Sequence, residues 1–339
     1  MKKSLLALAA LTAFAGAASA QSSVTLFGIV DLSVNSVKNG SVSQKLMSND
    51  QLSSNRIGFR GVEDLGGGLR ASFHIEGGMQ PDTGGTGQTW QRRSTVSLMG
   101  GFGEIRLGRD YVASFSNRAA YDPFGFNGMG NMGNLEASPG TTWLNSGVGT
   151  QVRANNVIGY FLPALGGVFG QVQVAAGEAT TGNKYVGARL GYAGGPVSVS
   201  GAYGKTYKTG TMTSDFKEIN FGASYNLGFL TVQGMYDKVD YGSVNQKHIL
   251  VGLVVPFGQS TLKASYNKVN GSSVLYEAKM FSFGYQYDLS KRTSLYATYS
   301  SLNNEGTSTT GPSYVVLAGP AMTRGATSSG YNAGIRHSF

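Results

Sequence analysis

The clearest pattern in the chain lies near its amino terminus, in the stretch Val24-Thr25-Leu26-Phe27-Gly28-Ile29-Val30-Asp31-Leu32-Ser33-Val34. Every even-numbered position in this stretch is apolar or glycine, and the polar side chains fall on odd-numbered positions. Successive side chains of a β-strand point to opposite faces, so a period of two predicts a strand with one apolar face.

The same alternation recurs along the rest of the chain. It is found in segments 69–76, 218–225, 231–236, 261–267, 282–287 and 332–339. No segment shows the spacing of three to four residues that is typical of an amphipathic helix. The sequence therefore predicts an all-β protein.

Short glycine-rich turns separate these strands. Seven of them lie at 64–68, 100–103, 163–167, 193–196, 226–228, 256–259 and 288–293. Longer polar segments lie between the turns, among them 36–53, 77–90, 205–214 and 302–328. Seven short turns alternating with eight longer loops predict sixteen antiparallel strands, with all turns at one end and all loops at the other.

The amino terminus has the features of a secretory signal peptide. Lys2 and Lys3 precede an apolar run over 5–14, and Ala18-Ser19-Ala20 fits a cleavage site. We therefore expect residues 1–20 to be removed after Ala20, and residues 21–339 to form a single domain. No later apolar run is long enough for a transmembrane helix.

Composition excludes several classes of site. The chain of 339 residues has no cysteine, so it has no disulfide bond, no thiolate nucleophile and no cysteine-ligated metal. Charged residues make up only 13% of the chain, about half the usual share. Lys and Arg number 27 against 18 Asp and Glu, so the chain is basic overall.

Two all-β architectures fit this pattern, a soluble sandwich and a membrane-spanning barrel. A sandwich buries its apolar faces, whereas a membrane barrel turns its apolar face to lipid and encloses polar side chains and water. The low charge, the even strand number and the export signal favour the barrel. We therefore predict a 16-stranded antiparallel transmembrane β-barrel, which is wide enough to leave an aqueous lumen.

Six groups of residues carry a resemblance to a known family. They are 22–28, 55–69, 100–103 with 107–109, 122–125, 153–160 and the carboxyl-terminal 336–339. In this order they resemble the Gram-negative trimeric general porins, most closely the betaproteobacterial branch. The resemblance covers the whole mature chain. It implies short periplasmic turns, long extracellular loops and an outer-membrane location.

The resemblance also implies roles for particular segments. The long segment 111–151 takes the place of the third loop, which folds into the lumen and forms the constriction. Phe339 matches the terminal aromatic that signals outer-membrane assembly to the assembly machinery. The family forms homotrimers through the outer walls of its first and last strands, with a loop near 77–90 reaching a neighbour. Outer-membrane lipid and lipopolysaccharide are then further partners.

A wall of arginines is expected to line the lumen opposite that loop. Guanidinium groups stay charged at physiological pH, so such a wall is a permanent positive field. By alternation the inward-facing arginines are Arg56, Arg60, Arg70, Arg93, Arg106 and Arg153, of which Arg56, Arg93 and Arg153 match the arginine cluster of related anion-selective porins. Arg60 shares the parity of Arg56. Arg92 has the opposite parity to Arg93, and we expect it to pair near the rim.

Three carboxylates are expected on the loop side of the constriction, namely Asp110, Asp122 and Glu136. Facing the arginines, they would set a transverse field that orients dipolar solutes. Asp122, in the sequence Asp-Pro-Phe-Gly, could instead brace a turn. Arg118 in the same loop could neutralise part of this acidic side.

The function expected from these features is passive diffusion of small hydrophilic solutes, both anionic and neutral, with a preference for anions. A substrate-specific porin and a non-channel adhesin or structural barrel are the alternatives. No nucleophile elbow, phosphate-binding loop or zinc-protease motif is present in the sequence, so we expect no enzyme activity, cofactor or metal. The basic residues are spread along strand faces, so nucleic-acid binding is not expected.

Overall fold

The computed structural model describes residues 23–85, 89–137, 141–180, 182–272, 277–305, 313–319 and 325–339. The predicted signal peptide lies outside these described residues. Seventeen strands, one α-helix and two short 3-10 helices lie within them.

The strands follow one another along the chain as a series of antiparallel hairpins. Their bounds are β1 Ser23–Asn39, β2 Val42–Asn49, β3 Arg56–Gly66, β4 Leu69–Gly78, β5 Arg93–Gly100, β6 Gly103–Tyr111, β7 Arg153–Phe161, β8 Val168–Ala175, β9 Tyr185–Gly194, β10 Val197–Thr206, β11 Phe216–Asn226, β12 Thr231–Tyr241, β13 Val244–Phe257, β14 Ser260–Gly271, β15 Ala278–Asp288, β16 Thr293–Asn304 and β17 Thr327–Ser338.

The sheet closes on itself because β1 pairs with β17, with Ile29 opposite Ser338 and Asn39 opposite Ser328. On its other side β1 pairs with two strands, β2 along its loop end and β3 along its turn end. The second position of the barrel is thus one strand broken at 50–55. The seventeen strand segments fill sixteen positions, and the predicted 16-stranded barrel is confirmed.

The barrel is apolar on the outside and polar within, as β15 shows. Phe281, Phe283 and Tyr285 are exposed on its outer face. Met280 and Ser282 alternate with them and are buried inside. Outward apolar side chains recur on nearly every strand, which is the arrangement that a lipid environment favours.

All seven predicted turns connect the strands at one end of the barrel. The loop end differs from the prediction in one place, because most of 36–53 is strand and belongs to β1 and β2. These strands extend beyond the apolar part of the outer surface, and their outward side chains there are polar, as at Ser36 and Lys38. The alternation of apolar and polar residues is therefore lost in this part of the sequence.

No α-helix in the described part of the chain is long and apolar enough to cross a membrane. The helix that is present, α1, spans Ala113–Ala120. It corrects the expectation that no segment is helical. Eight residues are little more than two turns, too few for a helical spacing to stand out in the sequence.

Candidate pore constriction

The described residues of the segment between β6 and β7, 112–137 and 141–152, lie inside the barrel. The segment contains α1 and the 3-10 helices Met132–Leu135 and Trp143–Asn145, and α1 packs against β9, β10 and β11. Asn117 on α1 donates to the side chain of Asn220 on β11 at 2.8 Å and accepts from Arg189 on β9 at 2.8 Å. These bonds hold the segment, called the inner loop below, against one side of the wall.

Inward-facing glycines make room for the inner loop along that side. They lie on alternate strands, and a Cβ on any of them would crowd a side chain of the loop. The glycines are Gly222 on β11, Gly252 on β13, Gly284 on β15 and Gly330 on β17, and the side chains above them are, in the same order, Tyr121, Pro123, Phe124 and Met129. Because these glycines have no side chains to hold the loop away from the wall, the loop packs directly on this side of the lumen.

A buried charge cluster fastens the inner loop to β11 and β12. Arg118 is fully buried and forms an ion pair with Glu136 of the loop. Its Nε lies 2.8 Å from Glu218 on β11 and 3.9 Å from Asp237 on β12. The guanidinium also lies 4.8 Å from the ring of Trp143. One arginine therefore holds three buried carboxylates, which we call the Arg118 cluster.

Burial and neighbouring charges shift the pKa values of Glu136 and Arg118 in this cluster. Burial favours the neutral form of Glu136 and raises its pKa, although Arg118 opposes the shift. Burial alone would lower the pKa of Arg118, but the surrounding carboxylates, Glu136 first, raise it above its ordinary value. Arg118 thus stays charged, and Glu136 is the loop carboxylate whose protonation burial favours.

Three arginines converge on the opposite side of the lumen. The phenol oxygen of Tyr111 accepts hydrogen bonds from Arg153 at 2.7 Å and from Arg92 at 3.2 Å. The carboxylate of Glu76 accepts a hydrogen bond from Arg92 at 2.5 Å and lies 3.6 Å from Arg56. The guanidinium of Arg153 also stacks over the Tyr111 ring at 4.3 Å. Among the described residues, this first arginine cluster holds three guanidinium groups and one carboxylate within ion-pair distance, and Asp50 interacts with Arg56 and Arg92 at longer range.

A second arginine cluster lies beside the first on β5 and β6. Arg106 contacts Glu104 at 2.9 Å and Asp110 at 2.6 Å, and Arg93 lies 3.5 Å from Asp110. Two guanidinium groups thus meet two carboxylates, so this cluster is close to neutral. The structure brings Arg56 and Arg153 together in the first cluster, whereas Arg93 belongs to the second.

Arg60 and Arg70 lie on the same wall nearer the turn end. Arg60 stacks over Phe27 at 5.2 Å, and it lines a cavity of about 300 Å³ together with Arg93 and Arg106. Among the described residues, no carboxylate lies within ion-pair distance of Arg60 or Arg70. A larger cavity of about 760 Å³ opens beside Arg92 and Arg153.

The wall formed by β3 to β7 therefore has an excess of positive charge. The carboxylates that pair with its arginines in the described part of the chain are Glu76, Glu104 and Asp110. The arginines are Arg56, Arg60, Arg70, Arg92, Arg93, Arg106 and Arg153. A wall of this kind attracts anions into the space left by the inner loop.

The three carboxylates expected on the loop side do not form an acidic surface facing these arginines. Asp110 lies at the end of β6, among the arginines themselves. Asp122 is buried and accepts backbone hydrogen bonds from Phe124 at 2.9 Å and Met132 at 3.1 Å, so it braces the loop, as the alternative interpretation had it. Glu136 is buried against Arg118, as the expected neutralisation by that arginine would require.

Several residues of the lumen were missed or misplaced by sequence reasoning. Arg92 pairs with the carboxylate of Glu76, as expected, but it does so in the lumen and not at the rim. β5 begins only at Arg93, so strand alternation does not govern Arg92. Tyr111 was overlooked because it stands at a strand end. Three further basic residues lie on inward faces: Arg189 on β9, Lys263 on β14 and Arg336 on β17. Their odd or even spacing along the strands could have revealed them.

The carboxyl-terminal residue completes the closure of the barrel. Phe339 exchanges two backbone hydrogen bonds with Gly28 on β1, at 3.0 and 3.1 Å. Its ring covers Gly28, where a Cβ would overlap it. The terminal aromatic is thus fixed in the seam between the first and last strands.

Comparison with known proteins agrees with this architecture. Residues 7–307 match the family described as Gram-negative porin. The chain is 37% identical to outer membrane porin protein 32 of Delftia acidovorans, with 100% of both chains covered. It is 29% identical to an outer membrane porin protein of Bordetella pertussis, again over 100% of both.

A solved structure extends the comparison to three dimensions. The anion-selective porin from Comamonas acidovorans superposes with a TM-score of 0.84 and 34% identity, covering 94% of this chain and 100% of that one. The alternation, the closed sixteen-position barrel, the inner loop and these similarities have one explanation: the chain belongs to the Gram-negative porin family.

Proposed function

We propose that this protein is a general diffusion porin of the outer membrane, whose water-filled lumen passes small hydrophilic solutes and prefers anions. The observation that carries the proposal is the first arginine cluster, in which Glu76 pairs with Arg56 and Arg92 while Arg153 donates a hydrogen bond to the phenol of Tyr111. It lies across the lumen from the inner loop, in the passage that solutes must cross. An anion gains attraction there, whereas a cation meets a net positive charge.

The inner loop, 112–152, is the constriction in this proposal. Its side chains lie on inward glycines of one side of the wall, and the Arg118 cluster fastens it there. Asp110, Asp122 and Glu136 serve to pair arginines and to brace the loop. The field at the passage then comes from the arginine wall and from the other inward-facing bases, Arg189, Lys263 and Arg336, because the buried carboxylates do not face solutes.

The oligomer and the orientation follow the family. We propose a homotrimer whose contacts use the outer walls of β1 and β17, where Leu26, Tyr331 and Ile335 are exposed on the outer surface of a single chain. The short turns then face the periplasm and the loops face the medium. Phe339, held in the closing seam, is the proposed recognition signal for the assembly machinery.

Solute flux into proteoliposomes tests the proposal. Vesicles that contain the folded protein should swell in isosmotic solutions of small sugars, at rates that fall smoothly as solute size rises. Small organic anions should enter faster than cations of equal size. Swelling no faster than in protein-free vesicles would make the protein a non-channel barrel, and saturation by one solute would make it a substrate-specific porin.

A further inference from the structure

A small pocket lies in the lumen wall nearer the turn end than the first arginine cluster. It is the cavity of about 300 Å³ that Arg60, Arg93 and Arg106 line, and it is called the turn-end pocket below. Glu104 and Asp110 lie within ion-pair distance of Arg93 or Arg106. Among the described residues, three guanidinium groups therefore meet two carboxylates, and the pocket keeps an excess of positive charge.

Arg60 is the arginine of this pocket whose charge is left without a carboxylate partner among the described residues. Its guanidinium lies over the ring of Phe27, 5.2 Å from the ring centre, and His74 meets the same ring edge-on at 5.3 Å. Phe27 in turn lies across Gly58, where a Cβ would overlap the ring. The ring supports one face of the guanidinium, and the hydrogen-bond donors at its edge remain available to a solute.

Two apolar side chains, Val62 and Met99, line the same pocket. Val62 follows Arg60 by two positions on β3 and so faces the lumen, and it is 41% exposed. The inward side chains opposite it on the next two strands, Ser72 and Ser97, are polar, as is usual inside a membrane barrel. Val62 and Met99 thus place an apolar surface beside an unpaired guanidinium group.

We propose that the turn-end pocket is a binding subsite for small aromatic monocarboxylates. The inference rests on the proposed function, in which the lumen passes anions, and it names a class of anion that this pocket favours. Arg60 binds the carboxylate through its planar fork of donors. The ring of the solute lies against Val62 and Met99, since a thioether makes favourable contacts with aromatic rings.

The size and charge of the pocket restrict the solute. Pockets that bind small molecules span roughly 300–1,000 Å³, and this one lies at the lower end, which fits a single ring. Because the carboxylates of the second arginine cluster already pair with its arginines, one guanidinium remains for one carboxylate. A hydrophilic anion of the same charge is attracted by Arg60 but gains nothing from Val62 and Met99.

Ligand-observed NMR on the detergent-solubilised protein tests this inference. The probe is 4-fluorobenzoate, and the width of its fluorine resonance across a titration gives a dissociation constant. Lactate, a hydrophilic anion of equal charge, is measured by its competition with the probe. The wild type should bind 4-fluorobenzoate about tenfold more tightly than lactate, the effect of burying part of one apolar ring. Equal affinities would overturn the inference, because they would show a surface for any small anion.

Val62→Thr combined with Met99→Gln nearly keeps the size of both side chains but removes the apolar contact. The affinity for 4-fluorobenzoate should fall about tenfold in this variant, whereas the affinity for lactate should not change. Circular dichroism verifies that the variant is folded. Unchanged binding of 4-fluorobenzoate would contradict the assignment.

Arg60→Gln is a second, independent variant, and Arg70→Gln is its matched control. Arg70 is an exposed arginine of the same wall that does not line the pocket. Arg60→Gln should weaken the binding of both anions about tenfold, the loss expected for one hydrogen-bonded charge, and Arg70→Gln should change it less than about twofold. Equal effects of the two variants would assign the binding to the general field of the wall and would overturn the subsite.

The proposed channel function is judged by a separate measurement. The zero-current potential of the wild type in potassium chloride reports anion preference without any aromatic solute. A wild type that prefers chloride but binds 4-fluorobenzoate no better than lactate would refute the subsite and leave the channel function standing.

Discussion

The electrostatic character of the lumen depends on how individual guanidinium groups are compensated. Arg93 and Arg106 meet Glu104 and Asp110 in the second cluster, so their charges cancel locally. In the first cluster the phenol of Tyr111 takes hydrogen bonds from two arginines without neutralising them. An anion therefore meets free charge in the first cluster and little in the second.

Arg92 should contribute to anion preference even though strand parity placed it elsewhere. Arg92→Gln removes one unit of charge from the first cluster, and we expect the ratio of anion to cation permeability to fall about threefold, as for the loss of one solvated charge interaction. Glu76→Gln should raise the ratio instead. Reversal potentials of both variants measure the change.

Arg92→Lys is the matched control for this pair, because it keeps the charge while losing the planar fork of hydrogen-bond donors. It should retain most of the anion preference. If neither Arg92→Gln nor Arg92→Lys changes the ratio of anion to cation permeability, Arg92 does not act on permeating ions.

Glu136 predicts a pH dependence of stability. Its pKa in the folded protein is raised by burial above the ordinary value of 4.5. A raised carboxyl pKa means that the folded state binds the proton more readily than the unfolded chain. The contribution of Glu136 is therefore greatest at low pH and is lost as pH rises through the raised pKa.

We expect the unfolding temperature of the wild type to fall relative to that of Glu136→Gln as the pH rises above 4.5, the ordinary pKa of a glutamate. Thermal unfolding followed by circular dichroism at several pH values measures the difference. A gap that widens in favour of the wild type as pH rises would mean that Arg118 outweighs burial and holds the pKa below its ordinary value.

Among the elements, the inner loop is positioned by the strands beneath it. Inward glycines on β11, β13, β15 and β17 provide a flat surface, and buried ion pairs join the loop to β11 and β12. A closely packed protein interior accepts added side-chain volume only if neighbouring atoms move. The size of the passage therefore depends on wall residues as well as on the loop.

Gly252→Ala should disturb this contact. The added methyl group would overlap Pro123, and we expect a loss of about 1–3 kcal/mol of stability, the usual cost of overpacking, or a displaced loop with altered conductance. Gly234→Ala on β12 is the control, since its Cβ would meet nothing closer than 3.9 Å. Thermal unfolding and single-channel conductance should separate the two variants, and identical behaviour would rule out close packing of the loop at Gly252.

The sequence predicted the elements unequally, for physical reasons. Tight turns need backbone conformations that glycine adopts freely, as at Gly66 to Gly68, so their positions are visible in the sequence. The strand extensions in 36–53 lie beyond the apolar part of the outer surface and lose the alternation. The partner of Glu136 depends on how the inner loop folds back, which no local pattern records. Asp110 instead pairs with Arg106 on its own strand and with Arg93 on the adjacent strand.

For the whole molecule, the central feature is an apolar outer surface around a polar interior. On β14 and β15 the lipid-facing and lumen-facing residues are direct neighbours: Phe283 is outward and exposed, and Lys263 on the adjacent strand points inward. Alternation, together with the low charge, the even strand number and the export signal, predicted this inversion. The uneven distribution of charge within the lumen required the structure.

A lysine should be tolerated on one face and costly on the other. Phe283→Lys on the outer face should destabilise the barrel in lipid by about 2–4 kcal/mol, since the charge would lie in hydrocarbon. Thr298→Lys, paired with Gly284 next to Phe283 but facing the lumen, is the control and should cost less. Urea unfolding in lipid vesicles compares them, and equal costs would contradict the assignment of the faces.

The sharpest measurement of ion preference is the zero-current potential of the wild-type channel across a planar bilayer, with potassium chloride more concentrated on one side. A surplus of arginine on the wall opposite the inner loop predicts that chloride crosses faster than potassium, so the potential takes the sign of an anion-selective pore. A potential of the opposite sign, with potassium crossing faster, would contradict the role given to the arginine wall.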